Sequence, residues 1–163
     1  MAIDTTPGSP TADSYVSLAD ADAYWAKRGN EAWANSLIPD KETALVRATS
    51  YADAEYGWRG CRASSTQALD WPRYDVVVDG YPLDGTTIPR QVQDAVCELA
   101  LKALAGEIAP DVSPQQVTEQ TVGPITRKFA EERNGGQKRY AYVDSLLRRL
   151  VTGGGGQIAL VRA

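Results

Sequence analysis

Sixteen residues between Pro89 and Gly106 carry apolar side chains over more than half of a helical circumference. Val92, Ala95, Val96, Leu99, Ala100 and Ala103 form one stripe at helical spacing, and Cys97, Leu101 and Leu104 widen it. Gln91, Asp94, Glu98 and Lys102 make a narrow polar strip. A helix with that pattern is either central to a bundle or buried a second time at a subunit interface. Pro89 suits the start of such a helix, because a first-turn N–H has no intrahelical partner to lose.

The other elements are arranged around this one. Ser17 is placed to cap a helix running to about Arg28, with Asp20 three residues on and Gly29 as the stop. Leu18, Ala21 and Trp25 share its inner face. Asn30 caps a short helix through Trp33 that ends before Pro39. Asp40 is expected to cap the next, about Lys41 to Tyr56, with Ala44, Leu45, Ala48, Tyr51 and Ala52 on one stripe. A last helix is expected over about Gln137 to Val151, turning Tyr140, Val143, Leu147 and Leu150 inward and Arg148 and Arg149 outward.

Between residues 57 and 89 no helix is legible. Val76, Val77 and Val78 predict a short strand before the turn signal Asp79-Gly80. A loop this long in a compact domain is functional or packed down by its own side chains. Trp71 is expected to be buried against the 92–104 helix, with Pro72 holding it extended. Residues 115–130, broken by Gly123-Pro124, predict a β-hairpin or an extended arm. The chain therefore reads as mainly α: a small bundle of about four main helices with a long loop, a β-hairpin and extended arms at both ends. Residues 1–14 are rich in Pro, Ser, Thr and Gly and predict a flexible N-terminal arm, 15–151 the helical domain, and 152–163 a glycine tether with a docking tail. In that tail Gln157, Ile158, Ala159, Leu160, Val161 and Arg162 follow four glycines, and Ile158 and Leu160 alternate as in a strand that adds to another chain's sheet edge.

Chemistry is harder to find. There is no histidine, which removes the commonest general base and zinc ligand. Cys61 and Cys97 have no metal-ligand spacing, and each suits a small apolar filler in a reducing compartment. No phosphate-binding glycine loop or nucleophile elbow occurs. Asp20 and Asp22, two apart on a helix, point to different faces. No catalytic residue, metal or cofactor is expected. No stretch reaches the roughly 18 apolar residues that span a bilayer, and residues 1–15 lack a secretory signal pattern, so no membrane partner is expected.

The net charge of −4 is unevenly spread. Residues 1–89 hold 13 acidic and 7 basic groups, and residues 90–163 hold 8 acidic and 10 basic. From Gln120 onward there are 3 acidic and 8 basic groups, with Phe129, Tyr140 and Tyr142 interleaved. Arg127, Lys128, Lys138, Arg139, Arg148 and Arg149 thus form a candidate basic surface, facing either nucleic acid or an acidic neighbour.

Four segments carry a resemblance to a known family. They are Tyr15-Val16-Ser17-Leu18 with Ala21, Tyr24 and Arg28-Gly29; Ala44-Leu45 through Tyr51 to Gly57; Gln67-Ala68-Leu69-Asp70-Trp71-Pro72-Arg73 with Ile88-Pro89 opening the next helix; and Val122-Gly123-Pro124 with the 140–150 helix. Together they resemble the small head-to-tail connector, or adaptor, proteins of tailed bacteriophages, whose relatives include proteins labelled DnaT-like single-stranded-DNA-binding. The resemblance spans roughly residues 15–150, and the Gln67–Arg73 segment is its most specific part. It implies a helical subunit of a ring, usually of twelve copies, at the head-to-tail interface of a virion made in the host cytoplasm. Its implied partners are the portal protein, other copies of itself, a downstream tail or stopper protein, and genomic DNA passing through the channel. The tail at 157–162 would hold the portal. The alternative label makes the chain a single-stranded-DNA-binding protein that uses its basic C-terminal part.

Overall fold

A computed structural model describes residues 3–109, 119–122, 125–128 and 139–152, with the backbone alone at 119–122 and 125–128. Five helices and three two-stranded ladders are present among these residues. The chain is mainly helical, as its apolar periodicity predicts.

Helix α1 spans Leu18–Ala26. Ser17 caps it: its hydroxyl accepts from the Asp20 N–H at 3.1 Å and donates to the Asp20 carboxylate at 2.6 Å. Gly29 follows with φ +62°, the left-handed position a helix stop requires. Helix α2 is the single turn Glu31–Ala34, capped by Asn30 accepting from the Trp33 N–H at 2.9 Å. Helix α3 spans Ile38–Glu55 and begins three residues before the expected start. Pro39 does not delay it, since a first-turn proline loses no helical hydrogen bond. Asp40 consequently lies in the first turn, where its charge suits the helix dipole, and is not the cap.

Helix α4, Arg90–Ala105, is the central element and packs against α1, α3 and α5. Val92, Ala95, Val96, Cys97, Leu99, Ala100 and Ala103 are all buried in it. Its wide apolar arc is thus explained within one chain. Helix α5 is shorter than expected, Ala141–Leu147. Tyr140 stands at its N-cap, with its ring edge-on to Tyr51 at 5.7 Å and its hydroxyl donating to the Ile108 carbonyl. After Leu147 the chain leaves the helix so that Val151 can pair with Trp58, while the Thr152 N–H donates to the Gly57 carbonyl at 2.7 Å. Val143, Leu147 and Leu150 are buried and Arg148 and Arg149 exposed, as their spacing predicts.

The long loop is packed down and carries more strand than expected. β1 (Cys61–Arg62) pairs with β2 (Arg73–Tyr74), and β3 (Val77–Val78) with β4 (Tyr81–Pro82). Asp79 and Gly80 join β3 to β4 with φ +54° and +87°, the two positive angles of a tight hairpin turn. Val76 falls outside the strand and is buried. Trp71 is 1% exposed and belongs to the core cluster that holds Val92, Val96 and Leu99. The Trp71–Pro72 peptide is cis. β5 (Glu119–Val122) and β6 (Ile125–Lys128) form an antiparallel pair, so of the two readings of residues 115–130 the hairpin is the one found.

Residues 3–14, expected as a flexible arm, are laid against the bundle. Asp4 accepts hydrogen bonds from the Thr6 N–H and from the hydroxyls of Ser9 and Thr11, while its own N–H donates to Asp13. The Ala68 N–H donates to the Ser9 carbonyl, and Ala12 and Ser14 are buried. The Ser, Thr and Asp content that reads as disorder instead supplies short-range polar partners. The glycine tether and residues 157–162 lie outside the described residues.

Candidate interaction surfaces

The Gln67–Arg73 segment is a folded device. Gln67 is 3% exposed, and its amide makes three bonds to the loop backbone. Its Nε2 donates to the Leu69 carbonyl at 2.7 Å and the Pro72 carbonyl at 3.2 Å, and its Oε1 accepts from the Ser64 N–H at 2.8 Å. Arg73 donates to the carbonyls of Arg59, Gly60 and Asp70. The Trp71 N–H donates to the Tyr15 hydroxyl at 3.1 Å. These bonds hold a rigid platform at the end of α3, and it is the platform's outer side that meets solvent.

Large apolar side chains are exposed along the loop, with Val77 and Tyr81 on opposite faces of the β3–β4 ladder, where Val77 pairs with Pro82 and Val78 with Tyr81. Tyr74 is 50% exposed, Val77 53% and Tyr81 76%. Gly60 and Gly85 are required beside Tyr74: a Cβ at Gly60 would strike the Tyr74 carbonyl, and one at Gly85 the Tyr74 ring. Around the platform lie Arg59, Arg62 and Arg73, and the end of α5 brings Arg148 and Arg149 to it. The Arg59 N–H donates to the Leu150 carbonyl at 2.9 Å, its Nε donates to the Val151 carbonyl, and Arg149 pairs with Asp79 in the β3–β4 turn. Asp70 lies 3.7 Å from Arg62 and 3.8 Å from Arg73. Leu37 and Ile38, 70% and 60% exposed, make a second apolar patch where α3 begins.

The candidate basic surface is divided by this arrangement. Arg148 and Arg149 belong to the platform. Arg139 lies before α5, 3.9 Å from Asp144, beside a groove of about 510 Å³ that also has Lys102, Glu98, Glu107, Tyr140 and the exposed Tyr142 on its walls. Helix α5 lies between Arg139 and Arg148 and is roughly 10 Å long. Arg127 and Lys128 are on β6, opposite Gln120 and Glu119 in register. Lys138 lies outside the described residues, as does the tail Gln157, Ile158, Ala159, Leu160, Val161 and Arg162. Sequence reasoning missed Arg59, Arg62, Arg73, Tyr74 and Tyr81. The signal for them is the recurrence of arginines and tyrosines through a turn-rich loop.

Perturbed titrating groups mark the interior of the fold. Burial, then the neighbouring Asp53 carboxylate, pushes the Tyr15 phenol up. Burial also pushes Asp53 up, against the opposing hydrogen bond from Tyr15. Tyr24 is raised by burial and by its hydrogen bond to Glu98. The Cys97 thiol is pushed up to about 12, mainly by burial, and so stays protonated. Among the described residues no three His, Cys, Asp or Glu side chains are placed to hold a metal ion, and no helix is long and apolar enough to cross a membrane.

A family model described as "Putative DnaT-like ssDNA binding protein" matches residues 1–163. The chain belongs to this DnaT-like family. No curated protein matches this DnaT-like chain, and no solved structure does. Within the family's frame, the Gln67–Arg73 segment, the most specific part of the sequence resemblance, is the structural base of the exposed platform.

Proposed function

We propose that this DnaT-like chain is a structural subunit, the head-to-tail adaptor of a tailed phage. Copies of it form a ring beneath a portal, extend the DNA channel and present a surface to the next tail component. The observation that carries this reading is the set of large apolar side chains held out to solvent: Leu37 and Ile38 where α3 begins, and Tyr74, Val77 and Tyr81 along the long loop. Apolar groups clustered at a surface mark association sites. An aromatic centre with an arginine rim is the usual make-up of a protein interface's strongest part. The sequence resemblance supports the phage setting, and the segment 157–162 is assigned to portal docking within this reading.

The family description favours a second reading, single-stranded-DNA binding. Arg59, Arg62, Arg148 and Arg149 beside Tyr74 and Tyr81, and Arg139 and Lys102 beside Tyr142, combine groups that track phosphates with rings that stack on bases, at about 1–3 kcal/mol per stacked base. Against it, Asp70, Asp75, Asp79 and Asp84 are interleaved with the platform arginines in the sequence, and Asp70 and Asp79 engage Arg62, Arg73 and Arg149.

Native mass spectrometry of the chain alone and with a phage portal, together with a variant ending at Thr152, tests the first reading. A ring, or a full set of copies on the portal that the shortened variant fails to form, is the expected result. A monomer that ignores the portal, yet binds oligothymidylate with an affinity that falls steeply with salt, replaces the first reading with the second.

A further inference from the structure

The two apolar patches lie at opposite ends of one helix. Leu37 and Ile38 open α3, and the platform follows its last turn, tied there by Asp53 accepting from the Asp70 N–H. An 18-residue helix is roughly 27 Å long, so the two patches are separate surfaces. The patches also differ in charge. Between Asn30 and Thr43 stand Glu31, Asp40 and Glu42, and the one base there, Lys41, is buried with its ammonium 2.9 Å from Asp22. At the platform five arginines, at 59, 62, 73, 148 and 149, outnumber four carboxylates, at 70, 75, 79 and 84.

We propose that these are the two halves of one contact: the Leu37–Ile38 end of one copy seats on the platform of the next, at Tyr81. The occupant of each patch is a second copy of this chain. Glu31 and Asp40, exposed at the first end, meet Arg59 and Arg148, exposed at the other. Two different surfaces joined in this way make a head-to-tail contact, which closes into a ring when the rotation between neighbours allows. The inference rests on the self-assembly in the reading above and names its faces.

Single-face variants test it. Ile38→Asp places a carboxylate in the first turn of α3, where the helix dipole tolerates it, and Tyr81→Asp changes a side chain that is 76% exposed. Circular dichroism checks that each variant folds. Masses are then read by native mass spectrometry from micromolar to near-millimolar concentration. The wild type is expected to exceed a monomer, and each variant alone to weaken association about tenfold or more. An equimolar mixture is expected to give heterodimers and stop there, because each variant keeps the one face the other has lost. Variants that assemble like the wild type, or a mixture without heterodimers, would overturn the contact while leaving the ring reading standing. A wild-type chain that is monomeric at every concentration overturns the contact too, and the ring reading is then judged separately by the copies counted on the portal.

Discussion

The Tyr15 hydroxyl donates to Asp53 Oδ1 at 2.5 Å and at the same time accepts from the Trp71 N–H at 3.1 Å. One phenol thereby joins the N-terminal segment, α3 and the long loop. Asp53 completes the clasp by accepting from the Asp70 N–H at 3.2 Å. Tyr15→Phe keeps the ring volume but leaves a buried carboxylate and a buried N–H without their partner. The expected loss is about 1–3 kcal/mol in urea denaturation. A variant as stable as the wild type would mean that the clasp adds nothing beyond packing.

The same carboxylate predicts a pH dependence. Burial raises Asp53 above its ordinary value, so the folded chain keeps a proton that the unfolded chain has released. Its contribution to stability is therefore full below the ordinary aspartate value and is lost as pH rises through the folded value. Asp4 has the opposite sign. The Thr6 N–H first, then the Thr11 and Ser9 hydroxyls, hold its carboxyl below the usual range, so its contribution is present above that range and lost as pH falls. Urea melts at a series of pH values should show Asp53→Asn losing less stability than the wild type as pH rises above the ordinary aspartate value, and Asp4→Asn losing less on the acid side. Identical slopes in all three proteins would contradict both assignments.

These contacts also show where sequence reasoning stops. Ser17 with Asp20, Asn30 with Trp33, and the 92–103 stripe were legible because their determinants lie within a few residues of one another. The Asp79-Gly80 turn was legible for the same reason. The early end of α5 was not, because Val151 leaves the helix to pair with Trp58, 93 residues away in the chain. The gathering of the platform arginines was not legible on similar grounds: Arg149 meets Asp79, and Arg59 meets Val151, across 70 and 92 residues. Residues 3–14 misled in another way, since their composition fits a solvated arm and their hydrogen bonds depend on the geometry around Asp4.

Trp71 carries a stability prediction that bears on the whole loop. It is 1% exposed and edge-on to Trp58, with ring centres 5.7 Å apart. Trp71→Ala removes an indole of the loop from the core, and chemical denaturation should show a loss of about 3–5 kcal/mol. A loss well under 1 kcal/mol would mean that the loop closes over the gap and that the platform does not depend on its anchor.

The two cysteines should separate cleanly in thiol titration. Cys61 is exposed on β1, whereas Cys97 is buried in α4 with its thiol pushed up to about 12. The thiolate is the reactive form, so burial protects Cys97 both by access and by protonation. An aromatic disulfide reagent at mild pH should titrate one thiol in the native chain and both after unfolding. Rapid reaction of both in the native chain would show that α4 opens far more readily than its central position implies.

Gln67 gives the most local test of how the platform is held. A carboxamide has two donors and an acceptor, and here the donors reach the Leu69 and Pro72 carbonyls while the acceptor takes the Ser64 N–H. Gln67→Ala strands these backbone groups in a site that is 3% exposed, at an expected cost of about 1–3 kcal/mol. Gln67→Glu keeps the shape and the acceptor but points carboxylate oxygens at two carbonyls, so it should be at least as damaging at neutral pH. It should recover part of the loss in acid, where the protonated side chain regains a donor. Denaturation midpoints at both pH values, with limited proteolysis across residues 61–74, read the outcome. If Gln67→Glu matches the wild type at neutral pH, the carboxamide is not what orders the loop, and the rigidity of the Tyr74–Tyr81 surface must come from the β1–β2 ladder and Arg73.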